Sequence, residues 1–222
     1  MNRLRVAILG GSFNPPTLAH MSIGTEIMKR NLSDLLFYVP CAHRTDKQLF
    51  LNKEHRLKML ELSIQHHFNQ YPFKVKTQNQ PTLDEYRGRV AIDTYEIDLY
   101  QEMLPTEQLF KHYQLTYPDI CFQFVIGSDL LDSLEHWEGY DEVLKELDYL
   151  VFERGGYAIN TEKLPPKSTV IAMEEISFVS STQIRQIIQQ NKRNTELTYE
   201  QLNKLICQDT ANYIIRNSLY AN

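Results

Sequence analysis

The sequence is poor in cysteine and in long apolar runs, and each shortage excludes a class of protein. Its 222 residues include three cysteines, Cys41, Cys121 and Cys207, which are odd in number and far apart, so we expect reduced thiols and not disulfides or a zinc site. No apolar run approaches the roughly 20 residues that span a bilayer, and no signal-peptide pattern is present. We therefore expect a cytoplasmic protein with no membrane partner.

Basic charge is also scarce. Lys and Arg number 23 against 28 Asp and Glu, which gives a net charge of −5. We expect no nucleic-acid partner, because general attraction to a phosphate backbone needs a basic surface. An anionic small molecule would need a local basic site. With 42% apolar and 23% charged residues, the chain has the composition of a globular protein.

Short apolar runs alternate along the chain with segments of helical periodicity. The first run, 5–9, ends in Gly10 and Gly11, as in a parallel strand buried on both faces. Further strands are predicted at 35–39, 89–99, 122–127, 147–152 and 169–173, and helices at 18–29, 54–66, 105–115, from 180–182 onward and at 199–217. This order predicts an α/β fold: a doubly wound, mostly parallel Rossmann-like sheet with helices on both faces and a C-terminal helical segment.

The loop after the first strand is where we expect a ligand, because doubly wound sheets bind ligands beyond the carboxyl ends of their strands. It reads Gly10-Gly11-Ser12-Phe13-Asn14-Pro15. The glycines let a ligand approach the backbone, the polar side chains can bind it, and the next helix points its N-terminal amides at an anion. The loop is neither a Walker A loop nor GxGxxG, which weakens kinase and dinucleotide-binding interpretations.

Two segments carry a family resemblance. Residues 11–20, GSFNPPTLAH, resemble the GxFxPx(H/T)xxH signature of the nucleotidyltransferase superfamily, and residues 180–185, SSTQIR, resemble its second signature, (I/V)SSTxxR. Residues 124–129 (FVIGSD), Trp137 and residues 151–156 (VFERGG) resemble stretches of the nicotinate and nicotinamide mononucleotide adenylyltransferases. The resemblance implies one nucleotidyltransferase domain over 1–222, in which 66–88 is an insertion and 180–222 is the C-terminal helical part that carries SSTxxR.

The resemblance also implies an activity. The phosphate of nicotinate mononucleotide, and also of nicotinamide mononucleotide, would attack the α-phosphate of ATP and release pyrophosphate, which gives deamido-NAD or NAD in NAD biosynthesis. Because the nucleophile is already an anion, the site must align two polyanions and neutralise charge. Mg²⁺, bound largely through phosphate oxygens and water, would supply part of that charge, since no dedicated protein ligand for a metal is evident.

Residue roles follow from the matched positions. His20, as imidazolium or as a neutral N–H donor, would contact the α- or β-phosphate, and Lys47 and Arg185 would hold the outer phosphates. Thr17 stands where many bacterial members have His, so it can donate a hydrogen bond but brings no charge. The remaining ATP-binding residues would be Gly10, Gly11, Ser12, Phe13, Gly127, Asp129, Arg154, Ser181 and Thr182, and the mononucleotide-binding residues Trp137, Thr106 and Asn14.

Several alternatives stay open at this point. Lys47 could be a solvated loop charge, Trp137 a core residue, Asp129 a helix N-cap, Thr106 a cap residue and Arg185 a member of a structural ion pair. The enzyme could act on another phosphate acceptor such as pantetheine phosphate, or the chain could be a catalytically silent nucleotide-binding protein. The sequence does not choose between a monomer and a homo-oligomer, and it favours nicotinate only through the free helix N-terminus at Thr106.

Overall fold

Seven parallel strands form one sheet in the computed structural model, which describes residues 3–44, 50–71, 73–76, 89–173, 179–191 and 194–221. The strands are β1 Arg5–Gly11, β2 Leu35–Pro40, β3 Phe73–Lys76, β4 Val90–Asp93, β5 Cys121–Gly127, β6 Asp148–Phe152 and β7 Ser168–Ile171. The α-helices are α1 Leu18–Lys29, α2 Lys53–His67, α3 Tyr95–Leu99, α4 Thr106–Thr116, α5 Leu131–Leu134, α6 Ser181–Gln190, α7 Thr195–Leu202 and α8 Gln208–Arg216.

The strand order is β3-β4-β2-β1-β5-β6-β7, and every pairing in it is parallel. From β1 the chain adds β2, then β3 at the edge of the sheet and β4 between these two, and it returns to add β5 on the other side of β1. The loops after β1 and β5 therefore diverge, which opens a crevice at the carboxyl ends of these two strands. The predicted doubly wound α/β fold is confirmed.

Two apolar layers cover the two faces of the sheet. On one face α1 and α2 pack through residues such as Met21 and Leu60, and on the other face α4 packs through Leu109 and Phe110. The central strands are apolar on both faces because both faces are covered, and every residue of β2 is buried. Helices on both faces follow the sequence prediction.

The C-terminal helices form a third apolar cluster against α2. Met59 of α2 packs with Ile184 and Ile188 of α6 and with Ile214 of α8. This cluster attaches the C-terminal part of the chain to the helix that follows β2.

Two predicted elements are wrong in extent. The strand predicted at 89–99 ends at Asp93, because Asp93 Oδ1 accepts a hydrogen bond from the Tyr95 amide over 2.9 Å and turns the chain into α3. The single helix predicted at 199–217 is two helices, α7 and α8. Between them the Leu205 and Ile206 amides bond back to the Leu202 carbonyl, and the Leu205 carbonyl accepts from Leu18 at the start of α1.

The segment interpreted as an insertion contributes to the sheet. β3 lies within it and pairs with β4, and the buried Lys76 Nζ lies 2.9 Å from Asp93 Oδ2. β3 has four residues, in which lysine alternates with an apolar residue, and this pattern is too short to predict a strand from the sequence. Residues 77–88 of that segment lie outside the described residues. In the ranges that are described, no helix is long and apolar enough to cross a membrane.

Candidate active site

The end of β1 is open to a ligand at Gly10. A Cβ placed on Gly10 would meet no atom within 4 Å, so the space in front of this backbone is empty. Phe13, two residues beyond β1, has a φ of 44° and a buried ring that packs edge-on against His20 and Tyr38. A left-handed backbone is uncommon for a bulky residue, and burial of the ring holds this one in place.

Thr17 and His20 form a capping box at the start of α1. The Thr17 amide donates to His20 Nδ1 over 3.0 Å, Thr17 Oγ1 lies 2.7 Å from the same nitrogen, and the His20 amide donates back to Thr17 Oγ1 over 3.4 Å. Because Nδ1 accepts a main-chain N–H, the proton of the neutral ring is on Nε2. Of the two forms considered for His20, the geometry fits the neutral Nε2–H donor.

The hydroxyl of Thr17 has a partner within the protein. Thr17 is 2% exposed, and its hydroxyl lies against the His20 ring, where it can orient the imidazole. A contact of this hydroxyl with a phosphate stays a prediction.

The two signature segments, which are far apart in sequence, are joined by hydrogen bonds. Ser181 Oγ donates to the Pro15 carbonyl over 2.7 Å, and Arg185 Nη1 donates to the Asn14 carbonyl over 2.9 Å. Arg185 Nη2 donates to Thr182 Oγ1 over 3.0 Å. Partial burial lowers the pKa of the Arg185 guanidinium. The N-terminus of α6 is thus fixed beside the loop after β1.

Asn14 is enclosed within this loop. It has no exposed surface, and its Oδ1 accepts from the Tyr220 hydroxyl over 2.8 Å and from the Leu51 amide over 3.4 Å. Burial raises the pKa of the Tyr220 hydroxyl, which keeps it a donor. These contacts make Asn14 a link between the loop and the C-terminal segment, and its binding of the mononucleotide stays a prediction.

Beyond β5, a short 3₁₀ helix, Ser128–Leu130, carries the next group of predicted residues. The Asp129 carboxylate lies over Gly127 and forms an ion pair with Arg154, which follows β6. Ser128 Oγ accepts from the Arg154 amide over 2.9 Å and donates to the Tyr157 carbonyl over 2.6 Å. Asp129 does not cap the helix, because the N-cap position belongs to Gly127.

These segments surround a first cavity of about 370 Å³, which we call the His20 cavity. It lies at the carboxyl ends of β1, β5 and β6. Its lining includes these residues predicted from sequence: Gly10, Gly11, Ser12, Phe13, Asn14, Thr17, His20, Gly127, Asp129, Arg154, Ser181, Thr182 and Arg185. Lys47 lies outside the described residues.

A second cavity of about 670 Å³, the Trp137 cavity, adjoins the first. Trp137 and Thr106 line it, together with apolar residues of β5 and α4. The indole of Trp137 packs 6.3 Å from the Phe124 ring, and its Nε1 donates to Ser133 Oγ over 3.3 Å. Thr106 is the first residue of α4, and no side chain caps this helix at Pro105.

The two cavities share their floor. Gly10, Gly11 and Ser12 line both, as do three apolar side chains and Arg44. A molecule in one cavity would therefore meet a molecule in the other above the end of β1.

Sequence reasoning gave no role to three charged residues that the structure places at or near the two cavities. Arg56 is buried beneath it and donates to the carbonyls of Ser12 and Cys41. Glu96 lines the Trp137 cavity and Arg44 lines both cavities. The signal for Arg56 was present, because it lies three and four positions before the buried Met59 and Leu60 and so falls on the apolar face of α2.

Among the described residues, no group of three or more His, Cys, Asp or Glu side chains could hold a metal ion. Two carboxylates line the His20 cavity, those of Glu153 and of Asp129, and Asp129 is paired with Arg154.

Known proteins resemble this chain along nearly its full length. A "Probable nicotinate-nucleotide adenylyltransferase" of Clostridium botulinum (strain Loch Maree / Type A3) is 26% identical over 96% of this chain and 98% of its own. A protein of the same name from Streptococcus pyogenes serotype M3 is 27% identical over 99% and 90%, respectively.

Solved structures agree with the sequence relatives. The Plasmodium falciparum nicotinic acid mononucleotide adenylyltransferase complexed with NaAD superposes with a TM-score of 0.78 at 26% identity, over 98% of this chain and 97% of that one. The same protein complexed with APC gives a TM-score of 0.76 at 25% identity, over 99% and 98%. The cytidylyltransferase-like family model matches residues 8–187, and this chain belongs to that family.

Proposed function

We propose that this protein is an adenylyltransferase that joins ATP and nicotinate mononucleotide to give deamido-NAD and pyrophosphate in NAD biosynthesis. The observation that carries the proposal is the pair of cavities with a common floor at Gly10–Ser12. ATP would occupy the His20 cavity and the mononucleotide the Trp137 cavity. The names of the relatives, and the NaAD bound to the P. falciparum enzyme, support the same reaction.

The reaction needs no general base. An oxygen of the mononucleotide phosphate attacks the α-phosphorus of ATP, the new P–O bond forms, and the bond from the α-phosphorus to the bridging oxygen breaks as pyrophosphate leaves. The chain's task is to align the two phosphates and to neutralise the charge that collects on the transferred and leaving groups. Mg²⁺ bound to ATP would supply part of that neutralisation.

His20 would stabilise the transferred group. Its Nε2–H can donate to an oxygen of the α-phosphate, while the Thr17 amide holds Nδ1. Arg185 and the N-terminal amides of α6 would face the outer phosphates, because the hydrogen bonds to Asn14 and Pro15 fix them beside the loop. Lys47 is the further cation that we assign to these phosphates.

On the other side, the aromatic ring of Trp137 would stack on the pyridine of the mononucleotide. The uncapped N-terminus of α4 at Thr106 favours a carboxylate on that ring, since amides and the helix dipole attract negative charge. This is our reason to propose nicotinate as the preferred acceptor. Asp129 and Arg154 would lie beside the ribose and the adenine of ATP.

The test is pyrophosphate release from Mg·ATP with nicotinate mononucleotide and with nicotinamide mononucleotide in parallel, with the dinucleotide identified by mass. We expect turnover with both and a higher kcat/KM with nicotinate mononucleotide. A higher kcat/KM with nicotinamide mononucleotide would overturn the acceptor assignment alone. No turnover with either, in a protein that still binds ATP, would point to another phosphate acceptor such as pantetheine phosphate or to a silent nucleotide-binding protein.

A further inference from the structure

The segment after α8 brings the side chain of Tyr220 to the loop after β1. Its backbone is left-handed at Ser218 and again at Tyr220, where φ is 49° and 62°. Between them, the Leu219 amide bonds back to the Ile214 carbonyl over 3.0 Å. Left-handed backbone is uncommon for a bulky residue, so the surrounding structure has to hold Tyr220 in it. Leu219 and Tyr220 are both buried in the apolar cluster that α6 and α8 form against α2.

The Tyr220 hydroxyl ends this path on a buried acceptor. It donates to Asn14 Oδ1 over 2.8 Å, between residues that are 206 positions apart in the chain. The Leu51 amide donates to the same oxygen over a longer distance, 3.4 Å. Asn14 has no exposed surface and Tyr220 almost none, so water cannot replace the hydroxyl if it is removed.

Asn14 connects this hydroxyl to both signature segments. Its carbonyl accepts from Arg185 over 2.9 Å, and the carbonyl of the next residue, Pro15, accepts from Ser181 over 2.7 Å. The same loop leads into the first turn of α1, where His20 lies. A displacement of Asn14 would therefore move the side chains that we assign to the phosphates of ATP.

We propose that Tyr220 is a positioning residue for adenylyl transfer, which acts through Asn14 to hold the loop after β1 and Arg185 in their productive places. The inference rests on the proposed function, because it takes these groups to stabilise the transferred and leaving phosphates. Tyr220 is not among the residues that line the two cavities, so it acts on geometry and not on a substrate. Donors that are aligned with the charge of the transition state lose more from a small displacement there than in the ground state.

The test is Tyr220→Phe, which removes the hydroxyl and keeps the ring in the apolar cluster. The matched control is Tyr213→Phe. The Tyr213 hydroxyl lies 2.9 Å from His55 Nδ1 and joins α8 to α2, and Tyr213 is not among the residues that line either cavity. Pyrophosphate release would be measured with both substrates varied, at a temperature where every variant is folded, and stability would be measured by urea unfolding.

In Tyr220→Phe we expect kcat to fall about 5- to 30-fold while the KM values for ATP and the mononucleotide stay within about twofold, the pattern of an interaction lost only in the transition state. Tyr213→Phe should lose stability as well, since it also gives up a hydroxyl hydrogen bond, but its kcat should stay within about twofold of the wild type.

A double variant tests the path through Asn14. In Asn14→Ala the hydroxyl has no side-chain oxygen to bond, so adding Tyr220→Phe should change kcat by less than about twofold. The comparison of the two tyrosine variants stands by itself should Asn14→Ala fail to fold.

The outcomes separate the inference from the function. An unchanged kcat in Tyr220→Phe would overturn the positioning role, and so would an equal fall in Tyr213→Phe, because the loss would then follow stability alone. A raised KM with an unchanged kcat would also overturn it, and additive losses in the double variant would overturn the path through Asn14. In each of these cases dinucleotide formation by the wild type still stands. A wild type that forms no dinucleotide would overturn the function, and the inference with it.

Discussion

Arg56 Nη1 donates a hydrogen bond over 2.9 Å to the carbonyl oxygen of Ser12, 44 positions earlier in the chain. The same nitrogen donates to the Cys41 carbonyl over 2.8 Å, so one guanidinium joins the loops after β1 and β2. The guanidinium lies 4.3 Å from the centre of the Phe50 ring and is 2% exposed as a residue. Burial lowers the pKa of Arg56, but an arginine keeps its charge, and that charge strengthens both hydrogen bonds.

Replacement of Arg56 by alanine should therefore destabilise the protein by about 2–4 kcal/mol, because two buried carbonyls lose their donor. The measurement is the free energy of unfolding in urea. Lys58→Ala is the matched control on the same helix, since Lys58 forms only an exposed ion pair with Glu61, and it should cost less than about 0.5 kcal/mol. Equal costs for the two variants would show that the buried contacts contribute nothing to stability.

Replacement of His20 by alanine should lower kcat by roughly 10²–10³, the usual loss when one transition-state donor is removed. The fold should survive, because the His20 ring borders the His20 cavity, where it contacts Phe13 of the loop after β1. Steady-state kinetics and thermal unfolding would be compared with those of His66→Ala, which removes an exposed histidine beside Asp209. Nearly unchanged activity in the His20 variant would remove it from the reaction.

Thr17 tests how His20 is positioned. Thr17→Val removes Oγ1 but keeps the size of the side chain and the main-chain amide that donates to Nδ1. We expect a loss of about 1 kcal/mol in stability, typical of an N-cap, and a fall of roughly tenfold in kcat, because the imidazole is less firmly oriented. Thr17→Ser, which keeps the hydroxyl, should behave like the wild type.

The kinetic signature distinguishes the two roles considered for Thr17. A positioning residue should change kcat and leave the KM for ATP within about twofold. If Thr17→Val raises the KM for ATP and keeps kcat, the hydroxyl contacts a phosphate directly, as the sequence alone suggested.

The elements that could be predicted from sequence are those whose pattern is local. β1 and β2 are continuous apolar runs, and α1 begins and ends where its periodicity does, at Leu18 and Lys29. β3 could not be recognised, because it is only four residues long, with lysine at every second position, and it becomes a strand through pairing with β4. The division between α7 and α8 depends on a contact of Leu205 with Leu18, which no local pattern contains.

The site divides in the same way. The two signature segments could be recognised and paired from sequence, and the hydrogen bonds of Ser181 and Arg185 confirm that they adjoin. The direction of each side chain could not be predicted. The sequence predicts Asn14 and Thr17 as ligand-binding residues, and it does not show that both are buried and bonded within the fold. No sequence pattern marks Arg44, and the structure draws attention to it because it lines both cavities.

Glu96 offers a test through pH. Its Oε1 accepts from the Ala42 amide over 2.9 Å and from the Leu104 amide over 3.1 Å, which ties the segment after β2 to the turn before α4. Burial raises the pKa of the Glu96 carboxyl, and this outweighs the two amides and the charge of Arg56, which act in the opposite direction. In the folded state the carboxyl therefore holds its proton more tightly than in the unfolded chain.

The sign of the pH dependence follows. Between the unfolded pKa, about 4.3, and the raised folded value, the folded state binds more protons than the unfolded chain. The contribution of Glu96 to the free energy of unfolding therefore falls as pH rises.

Glu96→Gln keeps an acceptor oxygen for both amides and does not titrate. The stability of this variant relative to the wild type should therefore be greatest at pH 8 and should decline as the pH falls toward the unfolded pKa. The measurement is urea unfolding at several pH values between these two limits. Gln108→Ala, on the exposed face of α4, changes no titratable group and should give a difference that does not vary with pH. A relative stability of Glu96→Gln that rises as pH falls would mean that the two amides and Arg56 outweigh burial.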